Sequence, residues 1–153
     1  MSRYEKLSER LYSMDLYYGK ATTSIFKNFQ CFFIVEHPCS EEFIQKQALM
    51  LLTSHCKDFD FYGKESLNWE CTFDLLDSQM HPDDEDLDIA LTTSHNTLDS
   101  FVDSLSTALS ERPFVPCDIF LIYDDEEIYK IVLSKIRELC HNFKIRNGKS
   151  RCI

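Results

Sequence analysis

Residues 67–75 read LNWECTFDL: Leu67, Trp69, Cys71, Phe73 and Leu75 alternate with Asn68, Glu70, Thr72 and Asp74 without an exception. A period of two over nine positions predicts a β-strand with one apolar and one wet face. Trp69, whose i±2 neighbours are all apolar, is expected on the core side of that strand. The segment decides the fold because it stands between a predicted helix and an acidic run. As a strand, it gives the middle of the chain the order strand, helix, strand, strand, helix, strand.

Upstream, Phe29 to Glu36 is apolar on both alternating faces, which predicts a strand covered on two sides. Ser40 then offers an N-cap with Glu41 and Glu42 in the first turn, and Ile44, Ala48, Leu51 and Leu52 mark a helix running to about Lys57. Downstream, Leu87, Ile89 and Leu91 alternate with Asp88, Ala90 and Thr92, a second strand that would form a hairpin with the first. Leu98, Phe101, Val102, Leu105, Ala108 and Leu109 form a helical stripe that stops before Pro113. CDIFLIY (117–123) is another strand apolar on both faces, and Asp124 with Glu127 reads as a capping box opening a last helix toward Phe143. At the other end, Ser2 with Glu5 also reads as a capping box, and Tyr4, Leu7, Leu11, Met14 and Tyr18 recur at three and four until Gly19. A first helix is predicted there.

This element order is similar to the split βαβ core of ferredoxin-like folds, with extra helices at the N- and C-terminal ends. It implies an α+β class and a mainly antiparallel sheet in which the strand at 67–75 lies at an edge. Residues 1–143 are read as one domain and 144–153 as a short basic tail.

With 44% apolar residues, three glycines and four prolines in 153 positions, a folded chain is expected nearly throughout. No long apolar run occurs near the start or elsewhere, so neither a secretory signal nor a spanning helix is expected, and no membrane partner. Seven cysteines, several on core patterns, read as reduced thiols of a cytoplasmic protein. The formal charge is −10, and Lys144, Arg146, Lys149 and Arg151 stand in the tail without an acidic residue beside them. The body is therefore more acidic than the total shows. Such a field repels nucleic acid and steers basic partners toward the surface.

The charge is densest where Asp74, Asp77, Asp83, Asp84, Glu85, Asp86 and Asp88 fall within fifteen positions that hold no Lys or Arg. Asp84, Asp86 and Asp88 match the opening of a calcium loop, but Ile89 stands where the turn needs Gly and His95 where a bidentate Glu is needed. The neighbouring pairs His55/Cys56 and Cys140/His141 point about 100° apart on a helix, and HPC (37–39) has no second pair to complete a zinc site. No metal and no cofactor are expected. Cys39, at the start of the second helix, is the best candidate for a nucleophile, because a helix N-terminus favours a thiolate. No base or orienting group can be assigned to it, and no glycine-rich phosphate loop or RNA-binding aromatic pattern occurs.

In the predicted topology Glu36, Glu41 and Glu42 fall at the same end of the sheet as Asp74 to Asp88, while Asp124 to Glu127 fall at the other. Two segments would then build one acidic face for a basic partner. The function expected is that of a non-enzymatic binding protein that neutralises or regulates a basic protein, in the physical manner of acidic immunity proteins that block nuclease toxins. A nucleic-acid mimic that inhibits a DNA-handling complex and a small thiol enzyme at Cys39 are the alternatives.

Overall fold

Residues 67–75 are helical. The structure, a computed structural model, describes residues 4–17, 28–54, 56, 58–82, 89–111 and 117–139. Among these, α2 spans Ser66–Met80, and Ser66, Trp69, Thr72, Phe73 and Asp77 are its buried residues, recurring at three and four. Leu67 and Leu75, which the alternating reading sends to the core, are 63% and 56% exposed. LNWECTFDL satisfies both periods, and the helix prevails because the Trp69/Phe73 pair continues through Leu76 and Asp77 for a full fifteen residues. Trp69 is fully buried as expected, but from a helix.

That exchange changes the topology. The elements are β1 (Tyr4–Lys6), β2 (Leu11–Asp15), β3 (Phe29–Ile34), α1 (Glu41–Leu52), β4 (Asp58–Tyr62), α2, β5 (Leu91–His95), α3 (Leu98–Ser110), β6 (Asp118–Tyr123) and α4 (Glu126–Leu139). The fold is a mixed α and β structure with a six-stranded sheet in the order β1-β2-β6-β3-β4-β5. Only the β1–β2 pair is antiparallel; β2–β6, β6–β3, β3–β4 and β4–β5 are parallel. The mainly antiparallel, ferredoxin-like sheet is thus not formed. Each of β3, β4 and β5 is followed by a helix that returns the chain to the amino edge, the connection that parallel strands require.

Three local readings change for physical reasons. The expected N-terminal helix is a pair of strands reversed at residues 7–10, where the N–H groups of Leu7 and Ser8 both donate to the Leu11 carbonyl at 2.8 and 3.2 Å. Pairing of β2 with the distant β6 overrides the local spacing of three and four, as tertiary context does. The helix expected to reach Lys57 ends at Leu52, and the strand DFDFY follows it. The strand expected at 87–92 is displaced to Leu91–His95 and runs parallel to β4, so no hairpin forms.

Helices α1 and α2 cover one sheet face and α3 and α4 the other. Phe29, Phe33, Phe59, Phe61, Trp69, Phe73 and Phe120 dominate the first core, with Phe33 stacked on Phe61 at 5.2 Å. Phe32, Ile34, Phe101, Leu105, Ile119, Leu121 and Val132 build the second. The chain proceeds outward from β3 to β5 and then returns to the opposite side of β3 as β6. This is a topological switch point, the place where open parallel sheets usually bind ligands.

Candidate functional site

β4 alternates strictly. Phe59 and Phe61 enter the core beneath α1 and α2, so Asp58 and Asp60 project toward α3. α3 is capped by Thr97, whose hydroxyl accepts the Ser100 N–H at 3.1 Å, and it lays Phe101, Val102, Leu105 and Ala108 on the sheet. Asp99 and Asp103, four residues apart, therefore share one flank. Glu111 continues that flank past the helix end. Asp58, Asp60, Asp99, Asp103 and Glu111 line one cavity of about 710 Å³, floored by Gln30 and Phe32. No Lys or Arg lines it among the described residues. Lys135 reaches Asp99 from α4 at 3.5 Å.

Charge crowding is visible at β4. Burial first, then Asp60 and Glu111, push the Asp58 carboxyl above its ordinary value. Burial also raises Asp60, which His95 partly offsets. The His95 ring is nearly buried and joins two elements: Nε2 lies 2.6 Å from Asp60 Oδ2 and Nδ1 lies 2.8 Å from Ser100 Oγ. With its proton on Nε2 the neutral ring donates to Asp60 and accepts the Ser100 hydroxyl; protonated, it donates to both. Either state fastens the first turn of α3 to β4.

A pH dependence follows from Asp58. Its raised value means that the folded chain holds this proton more tightly than the unfolded chain does. Stability is therefore gained as pH falls through the raised value and is fully present below the ordinary 3.8. Asp58→Asn is expected to stabilise the fold at pH 7 by roughly 0.5 kcal/mol, after allowance for solvent screening, and to have almost no effect near pH 3. Equilibrium urea unfolding at the two pH values checks this, and a destabilised variant at pH 7 would reverse the sign argued here.

Of the residues singled out by sequence, the described ones are spread over both ends of the sheet. α2 carries the chain from the carboxyl edge of the sheet to its amino edge, so Pro82 and Ile89 stand at the end opposite Glu36, Glu41 and Glu42. Asp83, Asp84, Glu85, Asp86 and Asp88 lie outside the described residues. Asp77 is buried and accepts the Ala90 N–H at 3.0 Å, with His81 Nε2 at 3.9 Å, so it anchors the segment entering β5. Asp74 accepts the Thr92 hydroxyl. Glu41 and Glu42 are exposed in the first turn of α1, Glu42 with Lys46 at 3.6 Å. Glu36 accepts the Lys64 N–H at 3.1 Å.

Asp124, expected at the far end from Glu36, is bonded to it. Its carboxylate accepts the Glu36 N–H at 2.9 and 3.1 Å and the His37 N–H at 2.9 Å. The cap of α4 is Asp125 instead, which accepts the Ile128 N–H at 2.9 Å and meets His37 Nε2 at 3.0 Å. The amides at the switch point, where a ligand's anionic group would be received, thus already hold a carboxylate of the chain itself. Cys39 stands beside this cluster, and burial, then Asp124 and Glu65, push its thiol up. The Trp69 indole N–H, buried without a well-formed acceptor, offsets this only in part. The thiolate that a helix N-terminus was expected to favour is instead opposed by its neighbours.

The groove was missed because its carboxylates come from elements separated in sequence. The usable signals were the alternation of Asp58 and Asp60 and the four-residue spacing of Asp99 and Asp103. Among the described residues no group of three or more His, Cys, Asp or Glu is arranged to hold a metal, and no helix is long and apolar enough to cross a membrane. No family model, no curated protein and no solved structure matches the chain.

Proposed function

We propose that the chain is a cytoplasmic, non-enzymatic binding protein that neutralises or regulates a basic protein, of the inhibitor or toxin-immunity type, and that the groove beside α3 receives Lys or Arg side chains of that partner. One observation carries the reading: five carboxylates from β4 and the α3 segment line one cavity with no lining cation among the described residues. Lys135 meets Asp99 and His95 meets Asp60, which leaves Asp58, Asp103 and Glu111 to draw in positive charge. A nucleic-acid mimic needs carboxylates at phosphate-like intervals over a long surface, whereas these converge on a pocket. The free thiols at Cys31, Cys39, Cys56, Cys71 and Cys117 suit a reducing compartment.

Binding of nona-arginine to the full chain tests the groove. The variant combining Asp58→Asn, Asp99→Asn, Asp103→Asn and Glu111→Gln is expected to bind about 10- to 100-fold more weakly at low salt, each partly exposed charge contributing a fraction of a kcal/mol. Its salt dependence should flatten as well. Asp83→Asn, Asp84→Asn, Glu85→Gln and Asp86→Asn together should mainly slow association, and Glu126→Gln with Glu138→Gln serves as the control. Equal affinity of the groove variant and the parent chain would remove the groove from the reading.

The Ser100–His95–Asp60 relay favours a second reading, because a hydroxyl, an imidazole and a carboxylate in hydrogen-bonded order resemble the relay of a serine hydrolase with the two ring nitrogens exchanged. Covalent labelling of Ser100 by a fluorophosphonate, lost in His95→Gln, would replace the binding reading with acyl transfer.

A further inference from the structure

Two thiols that play no part in the groove lie in contact beneath α1. Cys31, on β3, and Cys56, in the connection from α1 to β4, are both fully buried, and their sulfurs are 3.8 Å apart. A disulfide brings sulfurs to about 2.05 Å, so the pair needs to close by less than about 2 Å. Cys31 is fixed by strand pairing on both sides, to Phe59 of β4 and to Phe120 of β6. Cys56 is held more lightly: its N–H rests on Ser54 Oγ at 3.2 Å and its thiol donates to the Asp58 carbonyl at 3.3 Å. Rotation about the side chain of Cys56, a residue outside any strand or helix, supplies the movement.

We propose that Cys31 and Cys56 form a reversible disulfide and that a small peroxide is the oxidant. The Cys56 sulfur attacks one oxygen of hydrogen peroxide, the O–O bond breaks, and Cys56 sulfenic acid and one water result once protons are balanced. The Cys31 sulfur then attacks the sulfenic sulfur, the S–O bond breaks, and the hydroxyl leaves as a second water with the Cys31 proton. Overall two thiols lose two electrons and two protons to one peroxide, giving one disulfide and two waters. Closure ties β3 to the entry of β4 across a 25-residue separation. It also removes the thiol donor from the carbonyl of Asp58, a residue of the acidic groove. The disulfide does not rest on the binding reading; only this coupling to the groove does.

Burial holds the Cys31 thiol well above its ordinary value, with the Cys56 contact adding to this, so oxidation is slow and exposed Cys71 reacts first. That order supplies an internal clock. The folded full chain carrying Cys71→Ser is treated with hydrogen peroxide, quenched with N-ethylmaleimide, and digested without reduction for mass spectrometry. The parent chain in parallel reports when Cys71 is consumed. The expected result is a cross-linked peptide pair joining Cys31 to Cys56, and a melting temperature that rises by several degrees and returns on adding dithiothreitol. Recovery of both cysteines as free thiols long after Cys71 has been oxidised would overturn the proposal, and so would a cross-link from either of them to Cys117. Neither readout requires substitution of a buried cysteine. Nona-arginine affinity measured before and after oxidation then tests the coupling: an unchanged affinity with the cross-link present removes the coupling and leaves the disulfide standing.

Discussion

Gly63→Ala is expected to destabilise the fold by about 3 kcal/mol or more. Gly63 has φ +124°, a conformation that L side chains rarely adopt, and a Cβ placed there would lie 2.3 Å from the Val35 carbonyl oxygen and 2.6 Å from its carbon. The obstacle is backbone, and it is fixed from both sides. The Val35 N–H donates to the Tyr62 carbonyl at 2.8 Å, and the Val35 carbonyl accepts the Glu65 N–H at 3.0 Å. Relief would require β3 to separate from the turn that opens α2. Urea unfolding should show the midpoint lowered by roughly 1–3 M at the slopes usual for small domains. A midpoint moved by a few tenths of a molar would mean that the turn yields and that the close approach is not structural.

Arg10→Ala is expected to cost about 2–4 kcal/mol, because the guanidinium gathers four backbone carbonyls. Its Nε donates to the Cys117 carbonyl at 2.8 Å, Nη1 to Glu111 at 2.8 Å, and longer contacts reach Leu109 and Ala108. One side chain from the β1–β2 turn thereby closes the C-terminal end of α3 and the start of β6. Arg10→Lys should recover less than half of the loss, since an ammonium cannot hold so many acceptors in one plane. Amide exchange in the last turn of α3, measured beside global unfolding, separates a local from a general effect. Full rescue by lysine would reduce Arg10 to a simple charge.

The parts of this fold legible in sequence are those whose signals are local. The Ser40 cap and the 44/48/51/52 stripe mark α1, the stripe of α3 ends at the extended Glu111, and the doubly apolar runs mark β3 and β6. Each survives because nothing elsewhere in the chain competes with it. LNWECTFDL was misread because the residues that break the tie, Leu76 and Asp77, lie beyond the alternating window and take their meaning from the sheet beneath. β4 was hidden by the helix that seemed to run on into it. The N-terminal strand pair was hidden because β2 is placed by the distant β6 and β1 only by β2. The groove shares that difficulty: Asp58 and Asp99 meet only once β5 and α3 have folded back. The acidic run drew the eye by density, and density alone does not say where charges converge.

The pairing of β2 with β6 also sets an order of assembly. Arg10 and Cys117, which meet in the finished structure, are 107 positions apart. A chain emerging from the ribosome therefore presents Leu11 and Met14 early and waits through the synthesis of four further strands and three helices before their place in the sheet exists. During that interval β3, β4 and β5 can form a compact unit without β2, while the β1–β2 pair keeps one edge of β2 open to chaperones or to the wrong strand. β1 and β2 are made before β6 and are secured in the sheet only after it.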